Sequence, residues 1–156
     1  MHILDWILAK FPGAITRLPD RIEVDHATGD RSILWLRIDT PIPTTLDHLG
    51  ALYQDYDGMD LFSSTFKFAS IDKVKGKNGV PLVFTLESIS RELIAAGERP
   101  SEISTPFMYQ AGIGIYSVAH SSGIIYEWDT ELRKHGSHYT DVFSILEEWY
   151  AAIIEK

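Results

Sequence analysis

Three strand-length runs follow one another late in the chain, at Phe107–Gln110, Ile113–Val118 and Ile124–Asp129. The last two are separated only by Ala119-His120-Ser121-Ser122-Gly123, a hairpin turn by composition. An earlier pair, Arg21–Asp25 and Ile33–Ile38, is joined across His26-Ala27-Thr28-Gly29-Asp30 and reads as a second hairpin. Helical stripes lie at both ends and in the middle. Ile3, Ile7 and Phe11 recur at i, i+4, i+8 before Pro12-Gly13, and Val142, Leu146, Trp149 and Ile153 follow Asp141 as a cap. Runs of adjacent strands with helices outside them predict an α+β fold, a mostly antiparallel or mixed sheet flanked by about four helices. A doubly wound α/β fold would need strands to alternate regularly with helices, and they do not.

The middle of the chain supplies the remaining elements. Pro41-Ile42-Pro43 breaks the chain, and Thr44 is placed to cap a helix carrying Leu46, Leu49, Tyr53 and Tyr56, with Gly58 as its left-handed stop. Phe66–Ile71 reads as a strand, Lys73–Gly79 as a basic turn and Val80–Phe84 as another strand. Leu86, Ile89, Leu93 and Ala96 give a helix ended by Gly97, Glu98–Thr105 a loop. A length of 156 residues suits one domain, spanning 1–156, with no repeat, linker or low-complexity tract. No run approaches the ~20 apolar residues of a membrane span. The N-terminal stretch carries Asp5 and no basic n-region, so it reads as an amphipathic helix, and a cytoplasmic location is expected.

The absence of cysteine excludes disulfides, thiolate metal sites and a cysteine nucleophile. Side chains able to do chemistry are present, but each has a plainer explanation. His120-Ser121-Ser122-Gly123 lacks the G-x-S-x-G elbow and sits where a turn is needed. His135 and His138 stand three apart without a spaced third ligand, in a stretch read as a surface loop. Asp55–Asp60 resembles a calcium loop superficially, but Asp60 occupies the glycine position and Phe66 the position of the bidentate glutamate. Gly112-Ile113-Gly114 lacks the third glycine of a dinucleotide fingerprint, and close backbone approach or a bulge explains it. Glu127 and Asp129 share one strand face opposite Ile124, Tyr126 and Trp128, the pattern of a half-buried strand with an acidic solvent side. No catalytic residue, cofactor or metal is expected.

Charge layout is more informative. The formal net charge is −8, which argues against direct nucleic-acid binding, since phosphate contacts run on lysine and arginine. The acidity is regional. Residues 38–66 hold five aspartates and no lysine or arginine, 127–131 add three acids, and 67–77 carry four lysines against one aspartate. Asp55, Asp57, Asp60, Glu127 and Asp129 are therefore the candidate docking face for a basic protein partner.

The order of segments resembles the SMI1/KNR4 (SUKH) superfamily over residues 41–153. The resemblance is carried by the Pro41-to-Leu49 helix entry, the Tyr53–Phe62 stretch, the strand Phe66–Ile71, Pro106–Gly112, the hairpin from Ser117 through Gly123 to Asp129, and the closing Phe143–Trp149 helix. Asp57 stands where the family more often has asparagine, Met59 where a second glycine is common, and the 21–38 hairpin lengthens the N-terminal part. The resemblance implies a non-enzymatic binding module without shared catalytic residues. Bacterial members are commonly immunity proteins encoded beside toxins, many of them nucleases, and fungal members act in cell-wall regulation. The expected function is stoichiometric neutralisation of a cognate toxin catalytic domain. The rival readings are a housekeeping interaction module without a toxin partner and a hydrolase using His120, His135 or His138.

Overall fold

The computed structural model describes residues 2–37, 40–71, 85–99 and 101–155. The basic turn and strand expected within 73–84, and Ile38 at the end of the second strand, lie outside the described residues. Among those described, nine strands form one open antiparallel sheet in chain order, accompanied by four α-helices, so the fold is α+β. No described helix is long and apolar enough to cross a membrane.

Helix α1 (Ile3–Lys10) buries Ile3, Leu4, Trp6 and Ile7, and the His2 ring accepts the Leu4 backbone N–H at its start. Strand β1 (Gly13–Arg17) had no signal in the sequence, because all five residues are exposed and no apolar alternation marks them. It is held by its antiparallel register with β2 (Arg21–His26). The β2–β3 hairpin forms as expected, β3 spanning Arg31–Leu36, with Gly29 left-handed in the turn.

The segment after Pro43 departs from the expected helix. Thr44–Leu49 is a 3₁₀ helix without a side-chain cap, followed by a single α-helical turn, α2 (Gly50–Tyr53). The Leu46–Leu49 spacing of three fits either helix type, which is why the pattern misled. Tyr56 does not continue the helix but opens strand β4 (Tyr56–Leu61). Gly58 has the expected positive φ, at 96°, for a different reason. Leu34 pairs with Met59 and Leu36 with Tyr56, so Asp57 and Gly58 together oppose Trp35 in a β-bulge. Strand β5 is Phe66–Phe68.

Helix α3 (Leu86–Ala95) opens with a capping box between Thr85 and Ser88. Strands β6 (Ser104–Gln110), β7 (Gly114–Ala119), β8 (Ile125–Asp129) and β9 (Lys134–Tyr139) then form a meander. Strand β9 corrects the surface-loop reading of His135–His138; all but its last residue are exposed, so no alternation announced it. Gly114 sits where a Cβ would fall 2.5 Å from the Trp128 carbonyl oxygen, the close approach expected of that glycine. Helix α4 (Val142–Ile154) starts on Asp141, whose carboxylate accepts the Ser144 N–H at 2.8 Å.

The register gives the sheet two unlike faces. One row, Ile22–Leu34–Met59–Phe68–Met108–Tyr116–Glu127, crosses seven strands and faces α1, α2 and α4. This is the main core. The Phe11, Phe62, Phe66 and Trp149 rings pack there at centroid distances of 4.8–5.6 Å. The other row, Thr16–Glu23–Ile33–Asp60–Lys67–Tyr109–Ile115–Trp128–His135, crosses all nine strands. Among the described residues only α3 covers this face, and its smaller core is Ala69, Ile89, Leu93 and Ile115. One helix cannot blanket nine strands spaced ~4.8 Å apart, so the described helices leave sheet surface uncovered beside it.

Candidate functional site

The open surface deepens into a groove of about 770 Å³ between the C-terminal end of α3, residues 98–99 and 101–104, and strands β6–β9. Its geometry starts from the helix end, whose last carbonyls need partners. The Trp128 indole donates to the Ala96 carbonyl at 2.9 Å, and the Arg133 guanidinium donates to the Ala95 carbonyl at 3.2 Å. Gly97, with φ of 98°, lets the chain leave the helix beneath Arg133. His135 lies 3.1 Å from Glu98 and presents its edge to Trp128 at 5.0 Å between centroids. Strands β8 and β9 thus hold the helix end in place.

The rim carries large apolar side chains that the fold leaves in water: Ile94 is 49% exposed, Ile103 76% and Tyr126 43%. Three of the seven exposed large hydrophobics of the described residues thus line one groove. Singly exposed apolar residues need no explanation; their concentration around a concavity does. Glu98 and Glu102 also line the groove, against Arg99 and His135. Residues 90–135, which span the lining, hold six acids and four lysines or arginines, a formal −2. The sequence held a signal for Ile94, which falls beside the buried Ile89–Leu93 stripe of α3 rather than on it. Ile103, in irregular chain, had none.

The five acidic residues expected to form one docking face do other things, and Asp55 alone of them is exposed. It lies 2.9 Å from the His2 ring nitrogen. Asp57 is 2% exposed; its carboxylate accepts the Ile71 N–H at 2.6 Å and the Ser70 hydroxyl at 3.0 Å. Asp60 accepts the Ser64 hydroxyl at 2.9 Å, and burial pushes its carboxyl above the ordinary carboxylate range. Glu127 does not point to the solvent side. It reaches the main-core face, where its carboxylate meets the Tyr116 hydroxyl at 3.0 Å, while Tyr126 is the exposed neighbour. Asp129 accepts the N–H groups of Glu131 and Leu132 and so closes the β8–β9 turn.

The histidines are likewise dispersed. His120 lies 2.7 Å from the Thr105 hydroxyl, His135 pairs with Glu98, and His138 packs on the Tyr126 ring at 6.2 Å. Among the described residues no three His, Asp or Glu side chains are grouped to hold a metal.

Fold and groove together define an α+β protein whose sheet packs under α1, α2 and α4 on one face and, among the described residues, is partly open on the other around an apolar-rimmed cleft. Comparison of the chain with protein-family models, with curated proteins and with solved structures finds no match.

Proposed function

We propose that this chain is a non-enzymatic binding protein that docks a basic protein partner in the groove beside α3, and that the partner is a toxin catalytic domain neutralised one-to-one. The observation that carries this reading is the clustering of Ile94, Ile103 and Tyr126 around one cleft whose lining also carries Glu98 and Glu102. Apolar and aromatic anchors supply holding energy in a protein interface, and opposite charge raises the encounter rate and suppresses wrong partners. The resemblance to the SMI1/KNR4 superfamily supplies the toxin class. The docking face of this proposal is the groove rather than Asp55, Asp57 and Asp60, because the last two are engaged within the fold.

Co-expression with the catalytic domain of a toxin encoded beside the gene, the proposed partner, tests it. The wild-type chain should restore growth and co-elute with the toxin at a 1:1 ratio. The pair Ile103→Asp and Tyr126→Ala should lose both while keeping the wild-type thermal midpoint. Growth restored equally by that pair would remove the groove from the account.

A further inference from the structure

Building on the reading of a basic partner, we infer that β9 is a strand-addition site, and that its occupant is an extended segment of that partner alternating cationic and apolar side chains. Strand β9 ends the sheet, and among the described residues nothing pairs with its outer side. Five of its six residues are exposed. An unpaired edge offers its backbone donors and acceptors to any extended chain, and the flanking surfaces decide which side chains are accepted.

Both faces beside β9 are concave. On the α3 face lie Tyr126, Trp128 and His135, lining the groove described above. On the α4 face is a second cavity of about 410 Å³, lined by Gln110, Tyr116, Glu127, Tyr139, Glu148 and Trp149 among others. No lysine, arginine or histidine lines it among the described residues. Two carboxylates beside aromatic rings, without an internal counter-ion, are the chemistry that receives a guanidinium or ammonium group.

The sequence of β9 opens that cavity to the edge. Gly136 has no side chain, and a Cβ there would collide with the Glu127 carboxylate. The Glu127 carboxylate extends over this gap far enough to accept the Ser137 backbone N–H at 3.3 Å. A charge carried on β8 therefore reaches the outermost strand. A chain laid along β9 alternates its side chains between the two faces, sending every second residue toward Glu127 and Glu148 and the others toward His135 and His138, which pack on Trp128 and Tyr126. Pairing of β9 with β9 of a second copy would instead bring two sets of these glutamates together, which disfavours self-association.

The probe is the acetylated, amidated peptide Arg-Val-Arg-Val-Arg-Val, titrated into the full chain. Binding is read by fluorescence, and amide hydrogen exchange is followed residue by residue. Exchange in β9 should slow several-fold at saturation and β1 should not change. A peptide N-methylated at every residue keeps the charge and should not bind. The pair Glu127→Gln and Glu148→Gln should weaken binding at least tenfold, while the amide oxygen that replaces the Glu127 carboxylate can still accept the Tyr116 hydroxyl and preserve the fold. Unchanged β9 exchange, equal binding of the N-methylated peptide, undiminished affinity of the doubly substituted chain, or slowed β9 exchange from peptide-free dimerisation would each overturn strand addition. Growth protection sensitive to Ile103 and Tyr126 would still stand in that case, so this failure is separable from failure of the proposed function.

Discussion

Replacing Asp57 by alanine should destabilise the fold by about 3–5 kcal/mol. Its carboxylate is 2% exposed and accepts from the Ile71 N–H and the Ser70 hydroxyl. A hydrogen bond to a charged group contributes roughly 1.5–3 kcal/mol net, so two such bonds give about 3–6 kcal/mol. Release of the buried carboxylate returns part of its desolvation cost and brings the loss toward the lower end. Alanine also leaves the Ile71 N–H without this acceptor, and that segment leads through the Ser70–Thr85 bridge into α3. Asp57→Asn keeps one acceptor and should lose roughly half as much, about 2 kcal/mol. Urea unfolding followed by tryptophan fluorescence and far-UV dichroism measures both, with the slope checked for two-state behaviour. A loss below about 1 kcal/mol for alanine would refute the structural role of Asp57. Asp57→Asn should also leave partner affinity unchanged under conditions where it is folded; a tenfold loss would return Asp57 to the docking face.

Asp60→Asn should raise the unfolding midpoint at neutral pH. The folded carboxyl titrates above its unfolded value because of burial, so the wild type loses stability as pH rises from the unfolded value through the folded one, and the advantage of asparagine should vanish in acid below both. Burial, with Glu148 beside it, pushes the Tyr139 hydroxyl up to about 12, so stability should fall between about pH 10 and 12, and less so in Tyr139→Phe. Trp128→Phe removes the donor to the Ala96 carbonyl; a cost of about 1 kcal/mol in urea unfolding and faster amide exchange in the last turn of α3 are expected. Ser32→Ala should cost about 1–3 kcal/mol, because the fully buried hydroxyl contacts the His26 ring at 2.8 Å and accepts the Phe62 N–H at 3.0 Å.

The parts of the fold legible in the sequence were those whose burial has a period or whose apolar run is bounded by turn residues. Helices α1, α3 and α4 and strand β2 show one sealed side, whereas β3 and β7 are buried on both faces and stood out as runs between turns. Strands β1 and β9 are exposed edges whose order comes from backbone pairing with β2 and β8, which leaves no apolar imprint on residues 13–17 or 134–139. Strand β4 failed for the opposite reason. Five of its six residues are buried, and the bulge at Asp57–Gly58 breaks its alternation, so Tyr56 could be counted onto the preceding helical stripe. The same blindness grouped acidic side chains that the fold separates. A run of aspartates looks alike whether a side chain is exposed, as at Asp55, caps a turn, as at Asp129, or is buried against backbone N–H groups, as at Asp57. Tertiary packing separates these cases. The groove escaped notice because Ile94, Ile103 and Tyr126 lie on three separate elements that only the sheet brings together.

Calorimetric titration of the purified chain with the toxin catalytic domain proposed as its partner, at low and at high salt, tests the central claim most directly. A stoichiometry of one, affinity that falls as salt rises, and at least a tenfold further loss in the Ile103→Asp, Tyr126→Ala pair are expected. Heat absent at every salt concentration, or a salt-insensitive affinity untouched by those substitutions, would contradict it.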